Sequence, residues 1–387
     1  MKFVIVHNIA SPYRIHVFTQ LHQLLATCGI EFHVHFMSDM SKGHAERPLS
    51  WRNPKLTFPH TYWRDYGIGS HHFNPGMIAH LLRYRPDILM VGSAFDTFTG
   101  IALACLSRAG VKATWTEGNT KTAGVMSGLK GFIKRFVFAQ FKVVAVPGVE
   151  GVRYMDLLQR GTKRRMPKCL ILPNLIDETC FRPRAAYSAD AIERKRIEFG
   201  CGPNDRLCLI PARLEWYKGL VEFFSLLTPE MLSGWKIRVM GSGSQKKEIL
   251  TCLQRRKLDD FVSIQELVPY DEMPTNYAAA DLFLLPSLMD RNPLSVVEAL
   301  HSGLPVAVSS YAGNVDEAVS EGENGWVLPV KSPVYADVLR RVFSTPLEKL
   351  REMGAVSFSH NAQFWNTKKS IGRFVDDILK IGAMSEN

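Results

Sequence analysis

Short runs rich in β-branched and aromatic residues alternate with helical patterns along most of this chain, and the alternation begins twice. Phe3–Val6, Glu31–Phe36, Ile88–Val91, Ala113–Thr116 and Val143–Val146 are expected strands; Arg14–Thr27, Met77–Tyr84, Gly100–Ala109 and Leu129–Ala139 are expected helices. In the first helix Ile15, Phe18, Leu21 and Leu25 recur at helical spacing. Leu207–Ile210, Lys236–Met240, Val262–Gln265, Leu282–Leu285 and Pro305–Val308 then form a second strand set. Between the sets Leu172–Pro183, LPNLIDETCFRP, carries no clear periodicity and is the expected hinge. Alternation of this kind predicts parallel sheets with covering helices. A length of 387 residues favours two domains over one core. The expected fold class is therefore α/β, with two doubly wound domains: residues 1–172, and residues 173–365, with a last helix at about 366–387 packing back on the first. Open sheets of this type bind ligands at the carboxyl ends of their strands.

The densest chemistry lies in Pro286–Gly325, PSLMDRNPLSVVEALHSGLPVAVSSYAGNVDEAVSEGENG. Asp290 and Glu298 flank Asn292-Pro293, which has the form of a helix start: Asn caps free N–H groups and Pro suits the first helical position. The helix is expected over Leu294–His301, stopping at Gly303 with Pro305 beyond. One carboxylate then precedes the helix N-terminus and the other sits in its second turn. A helix N-terminus suits a phosphate, and flanking carboxylates suit sugar or ribose hydroxyls. Upstream, Arg213 and Lys218 in Pro211–Gly219, PARLEWYKG, directly follow a strand, where two cations can hold a diphosphate. Gly241 and Gly243 follow the next strand and allow close backbone approach to a ligand or simply a tight turn. No Asp-x-Asp pair follows a strand, so no metal is expected; two cations and a helix dipole would take its place.

Charge is uneven. Residues 1–175 hold 22 basic and 9 acidic residues, a net +13, whereas the remainder holds 25 basic and 28 acidic. The first half therefore suits an anionic partner. Leu129–Lys142, LKGFIKRFVFAQFK, is either a basic amphipathic helix for an anionic membrane surface or a helix with its phenylalanines in the core and its cations in water. Gly161–Lys168, GTKRRMPK, is a second basic cluster. Seven cysteines without a CxxC pair fit a reducing compartment and no disulfide framework or zinc site. No apolar stretch is long enough to span a bilayer.

Taken in order, Arg-Leu-x-x-x-Lys-Gly at 213–219, Gly-x-Gly at 241–243, Ala-Asp-Leu-Phe-Leu-Leu-Pro-Ser at 280–287, the acid pair at 290 and 298, Gly-Leu-Pro-Val at 303–306 and Asn-Gly at 324–325 resemble family 4 retaining glycosyltransferases of the GT-B fold. Pro173-Asn174-Leu175-Ile176-Asp177 is similar to the family's inter-domain Pro-Asn-Gly-Val-Asp. The resemblance covers residues 171–328; the first domain matches mainly by strand–helix order. It implies two Rossmann-like domains facing across a cleft, with nucleotide-sugar binding in the second and acceptor binding in the first. It implies that Arg213 and Lys218 hold the diphosphate, that Glu298 holds the ribose, and that Asp290, here in place of the family's Glu, contacts the donor sugar. Arg291-Asn292-Pro293 replaces Gly-Phe-Gly, leaving Asn292 and the backbone N–H groups of Leu294 and Ser295 near the phosphates. The base would lie near Glu266–Tyr270, beside Val268. Glu117, after the strand Ala113–Thr116, is the candidate carboxylate on the acceptor side, steadying positive charge on the donor sugar, orienting the acceptor hydroxyl, or acting as a plain cap or salt-bridge partner. The loop Asn8–Arg14 stands where the family's Gly-Gly loop meets the donor phosphate, which makes Ser11 and Arg14 donor or acceptor contacts. His7, His71 and His72 are further candidates for the cleft.

The expected function is transfer of a sugar from a UDP- or GDP-sugar to a glycan or lipid-linked acceptor in surface polysaccharide assembly. No resident cofactor and no nucleic acid are expected. The expected location is cytoplasmic, peripheral on the inner membrane face. A sugar-nucleotide epimerase of the same fold, or a basic nucleic-acid-binding protein, are the alternatives.

Overall fold

A computed structural model describes residues 1–39, 55–68, 71–92, 94–122, 128–266 and 268–383. The chain divides into two compact units, Met1–Ile176 with Thr367–Asn387, and Asp177–Asn366.

Unit 1 runs β1 (Lys2–His7), α1 (Pro12–Thr27), β2 (Glu31–Phe36), β3 (His60–Tyr62), α2 (Pro75–Tyr84), β4 (Ile88–Gly92), α3 (Phe98–Leu106), β5 (Val111–Trp115), α4 (Gly128–Phe138), β6 (Val143–Val146), α5 (Val149–Arg160) and β7 (Lys168–Ile171). The strands form one parallel sheet in the order β3-β2-β1-β4-β5-β6-β7. β1, β4 and β6 are buried on both faces, as a parallel sheet covered by helices requires. Pro12 sits in the first turn of α1, where its missing N–H costs no hydrogen bond, and Val17, Phe18, Leu21 and Leu25 face the core.

Unit 2 repeats the plan: α6 (Ala189–Glu198), β8 (Arg206–Pro211), α7 (Leu220–Leu226), β9 (Trp235–Met240), α8 (Lys246–Arg256), β10 (Val262–Gln265), α9 (Met273–Ala279), β11 (Leu282–Leu285), α10 (Leu294–His301), β12 (Val306–Ser309), α11 (Val315–Ala318), β13 (Gly325–Leu328), α12 (Tyr335–Ser344) and α13 (Leu347–Ser359). Its parallel sheet is ordered β10-β9-β8-β11-β12-β13. In α12 Val338, Leu339, Val342 and Phe343 make one apolar stripe, and Trp235 Nε1 donates to Phe343 O at 2.8 Å. The final helix, α14 (Thr367–Ala383), belongs to unit 1: Ile371, Phe374, Val375 and Ile378 are buried, and it packs on α1 and β7.

In both sheets the strand order reverses once, between β1 and β4 and between β8 and β11. Loops leaving the carboxyl ends of these strands are where such folds place ligands. Among the described residues no helix is long and apolar enough to cross a membrane. α4 differs from the reading that puts its apolar residues in the core. Val137 and Phe138 are buried, but Leu129 is 73% and Phe132 59% exposed, and Ile133 is exposed too. Its apolar positions span more of the helix circumference than unit 1 covers.

Candidate active site

Unit 2 brings Lys218 and Asp290 together across the reversal between β8 and β11. After β8 the chain passes Arg213 and enters a 3₁₀ turn, Trp216–Lys218, which Gly219 closes at φ 66°. A Cβ at Gly219 would lie 2.4 Å from Pro286 O, so a left-handed residue without a side chain is needed there. The N–H groups of Leu288 and Met289 both donate to Tyr217 O, at 2.9 and 3.1 Å. The loop after β8 is thus fastened to the loop after β11. Lys218 Nζ donates to Asp290 Oδ2 at 2.5 Å, with the two side chains 15% and 13% exposed. Ser287 Oγ lies 3.4 Å from the same oxygen. The loop after β12 completes the frame: Gly313 N donates to Asp290 O at 3.1 Å, Ser309 Oγ to Ser287 O at 2.5 Å and Asn314 Nδ2 to Pro293 O at 3.0 Å.

α10 spans Leu294–His301 as expected, but its N-terminus is not capped as the Asn-Pro pattern suggested. Pro293 keeps an extended ψ of 118° and is itself the N-cap, so it does not occupy the first helical position. Asn292 therefore does not cap, and its buried Oδ1 has no partner among the described residues. The helix ends at His301, with Ser302 as its C-cap and Gly303 left-handed at φ 69°. Leu294 and Ser295 open the helix, so their N–H groups have no intrahelical acceptor, and the dipole adds partial positive charge at this end.

Glu298, one and a half turns in, is 8% exposed. Burial pushes its carboxyl up to about 7, opposed by the bond that Tyr277 OH donates to its Oε2 at 2.6 Å. Tyr277 is fully buried, edge-on to Phe181 at 5.6 Å. Burial raises the Tyr270 and Tyr277 phenols, and the Glu298 charge adds to each. The sequence reading missed Tyr277 and named Tyr270 only as the end of the segment near the base. The available signal was a tyrosine just before the apolar strand Leu282–Leu285, whose hydroxyl needs a partner if the ring is buried.

Arg213 is exposed and makes no hydrogen bond or ion pair among the described residues; its charge contributes to holding Glu215 low, after the two bonds that Ser244 gives that carboxylate. Gly241 and Gly243 have a packing role: a Cβ would lie 1.9 Å from Ala212 O at the first and 2.4 Å from Leu214 O at the second. They let the loop after β9 lie flat on the loop after β8, where Leu214 N donates to Ser242 O at 2.9 Å. Val268 is half-buried just past β10; its neighbour Leu267 lies outside the described residues.

In unit 1, Glu117 follows β5. Its Oε1 accepts from Arg14 Nη2 at 3.1 Å and from Asn174 Nδ2 at 2.9 Å. The Arg14 guanidinium lies 3.6 Å from the centre of the Trp115 ring. Burial, with the Arg14 charge behind it, pushes the His7 imidazole down to about 3, so His7 is neutral. His72 Nδ1 pairs with Asp65 Oδ2 at 2.5 Å, and His71 Nδ1 lies 3.0 Å from Asp96 O. No group of three His, Cys, Asp or Glu side chains that could hold a metal ion occurs among the described residues.

Comparison with known proteins bears on this arrangement. Residues 191–357, which contain Arg213, Lys218, Asp290 and Glu298, match the family described as Glycosyl transferases group 1. The match spans a segment of unit 2 alone. Within that segment the resemblance drawn from the ordered motifs stands. The chain is 29% identical over 190 residues to the putative colanic acid biosynthesis glycosyltransferase WcaL of Escherichia coli K12, covering 46% of each. It is 24% identical over 314 residues to the D-inositol 3-phosphate glycosyltransferase of Segniliparus rotundus, covering 79% of this chain and 64% of that one. The matches span between 17% and 64% of the length of the first curated relatives. Among solved structures, Anabaena HepE in complex with UDP-glucose superposes with a TM-score of 0.70 at 15% identity, covering 98% of this chain and 100% of that one. The fold is GT-B, as expected.

Proposed function

We propose that the chain is an anomer-retaining, metal-independent glycosyltransferase that moves a sugar from a nucleoside-diphosphate sugar to a glycan or lipid-linked acceptor in surface polysaccharide biosynthesis. The observation that carries this reading is the Lys218–Asp290 pair, held by backbone bonds at the reversal point of unit 2 and followed at once by a helix start. The pair is charge-balanced without donor. A diphosphate draws Lys218 away from Asp290 and frees that carboxylate to accept from a donor-sugar hydroxyl. Arg213, exposed and unengaged, adds a second cation. As the glycosidic bond breaks, negative charge grows on the departing diphosphate; Lys218, Arg213 and the N–H groups of Leu294 and Ser295 stabilise it where it develops. Glu298 receives the ribose hydroxyls, Gly241, Gly243 and Asn292 border the phosphates, and the backbone at Val268 meets the base. Retention of configuration follows from the family. UDP is the favoured diphosphate, because the structural neighbour HepE binds UDP-glucose.

Unit 1 takes the acceptor, with Glu117 as its carboxylate. The exposed Leu129, Phe132 and Ile133 of α4, beside exposed Lys130 and the exposed run Lys163-Arg164-Arg165, suit contact with an anionic membrane carrying a lipid-linked acceptor.

The test is product analysis with UDP- and GDP-sugars, with and without a membrane extract. Sugar transferred to extract material, with the anomeric configuration of the donor, is the expected result. A converted sugar nucleotide formed without extract would instead make the chain an epimerase.

A further inference from the structure

Unit 2 holds a half-open cavity of about 670 Å³ outside the candidate donor site. Ile192, Ile197 and Pro203 give it an apolar wall, Arg184 and Arg196 a basic one, and exposed Glu193 stands at its mouth. It lies at the amino edge of the sheet. Its lining comes from the turn before α6, from α6 itself and from the segment just before β8. Lys218, Asp290 and the start of α10 instead follow the carboxyl ends of β8 and β11. The basic wall is fixed by the protein's own bonds. Arg184 donates from Nε to Ala278 O at 2.7 Å, and from Nη2 to Ala279 O at 3.0 Å and Asp281 Oδ1 at 2.8 Å. Arg196 donates from Nη1 to Ala279 O and to Asp281 Oδ2, both at 2.8 Å. Among the described residues Arg184 Nη1 and Arg196 Nε make no hydrogen bond, which leaves donors for a ligand on two preorganised guanidiniums.

We propose that this cavity is a second ligand site, separate from the donor site, for a small anion with an apolar body: the head on Arg184 and Arg196, the body on Ile192, Ile197 and Pro203. The proposal goes beyond the glycosyl-transfer reading and does not depend on it. Charge selects the head. Two guanidiniums share one buried carboxylate, Asp281, so the network keeps one net positive charge. Asp205 does not balance it with an ion pair; its carboxylate accepts from Gly202 N at 2.7 Å. Glu193 is exposed, so water and salt screen its charge. An anion takes the free guanidinium N–H groups in charge-assisted bonds, whereas a cation meets two guanidiniums. The apolar wall selects the body. Cys201 extends that wall: burial pushes its thiol up, so it is an uncharged, weakly polar surface. Inorganic phosphate leaves this wall in water, and a neutral apolar molecule leaves the guanidinium donors unanswered. The volume lies in the range of small-molecule sites, roughly 300–1,000 Å³.

Titration calorimetry on the full chain tests this with hexanoate, octanoate and phenyl phosphate, and with inorganic phosphate and hexanol as single-feature probes, each with and without UDP or GDP. At least one of the first three should bind roughly 10-fold more tightly than inorganic phosphate and than hexanol, with a Kd that UDP and GDP leave unchanged. Two exposed positions locate the site and give its sign. Ile197→Glu sets an acid on the apolar wall and should weaken that ligand roughly 5-fold or more, whereas Glu193→Gln removes the acid at the mouth and should tighten it by roughly 2- to 5-fold. Both variants should keep the wild-type melting temperature. No binding by any of the three, or equal affinity for inorganic phosphate or hexanol, would overturn the proposal. So would displacement by UDP or GDP, which puts the anion on Lys218, or an unchanged Kd in either variant. Weaker binding in Glu193→Gln would overturn it in favour of a cationic or zwitterionic ligand.

Discussion

Tyr277→Phe should produce an enzyme whose defect depends on pH. Glu298 is buried, its carboxyl is pushed up to about 7, and the Tyr277 hydroxyl at 2.6 Å is the named contact that favours its ionised form. If the ribose is held by the carboxylate, only the ionised fraction binds donor well. That fraction is about half at pH 7 for a carboxyl with a pKa of about 7. A hydrogen bond to a charged group contributes on the order of 1.5–3 kcal/mol, which is roughly one to two pKa units. Removing the hydroxyl moves the carboxyl to roughly 8–9 and leaves about 1–10% of it ionised at pH 7. The donor kcat/KM should then fall roughly 5- to 50-fold at pH 7 and recover to within about two-fold of wild type near pH 9. The assay is donor kcat/KM across pH 6–9.5 for both proteins, which pH range follows from those values. The loss should appear mainly as a higher KM. A defect of equal size at every pH would refute the reasoning, because it would mean that Tyr277 supports packing alone.

Three further outcomes follow from the geometry. A carboxyl raised from 4.5 to about 7 favours folding fully below 4.5, and that favour is lost as pH rises through 7; wild type should therefore lose on the order of 2–3 kcal/mol more stability than Glu298→Gln between pH 5 and pH 8, read from urea unfolding of both, and a difference below about 1 kcal/mol would place Glu298 in water. Asp281, buried, accepts from Arg184 Nη2, Arg196 Nη1 and Leu207 N, each at 2.8 Å; Asp281→Ala should cost about 3–5 kcal/mol by leaving two partly buried cations facing the site, and an unchanged melting temperature would show that the network adds nothing. Gly219→Ala, strained at φ 66° and crowded by Pro286 O, should release the loop after β8 and weaken UDP binding more than it lowers the melting temperature, whereas wild-type UDP binding would show that the turn adapts.

What the sequence revealed depended on where each residue sits. Inner strands were legible because parallel strands buried on both faces are continuous apolar runs; β2, β6 and β11 fall where they were expected, as does the edge strand β10. The strands β3, β7 and β13 were not read, and each lies at a sheet edge. His60–Tyr62 has only three residues, Lys168–Ile171 emerges from a basic run, and Gly325 has no side chain because Val306 O would lie 1.9 Å from its Cβ. Short, partly polar edges carry little apolar signal. Lys218, Asp290 and Glu298 stood out because they follow strands or sit on a capped helix, which are local patterns. Their partners did not. The contact between Tyr277 and Glu298, and the one between Arg14 and Glu117, join residues far apart in sequence, and only the sheet order brings them together. Asn292 was misread as a cap because the choice between N-cap and first helical position turns on one ψ angle at Pro293.

The central claim is that Lys218 and the start of α10 grip a diphosphate. Calorimetric binding of UDP and of uridine, and of GDP and guanosine, to wild type and to Lys218→Ala tests it most directly. A lost charge-assisted bond to phosphate should weaken the preferred diphosphate by roughly 10- to 100-fold and leave its nucleoside unchanged. Equal loss for nucleoside and diphosphate, or no loss for either, would contradict the account.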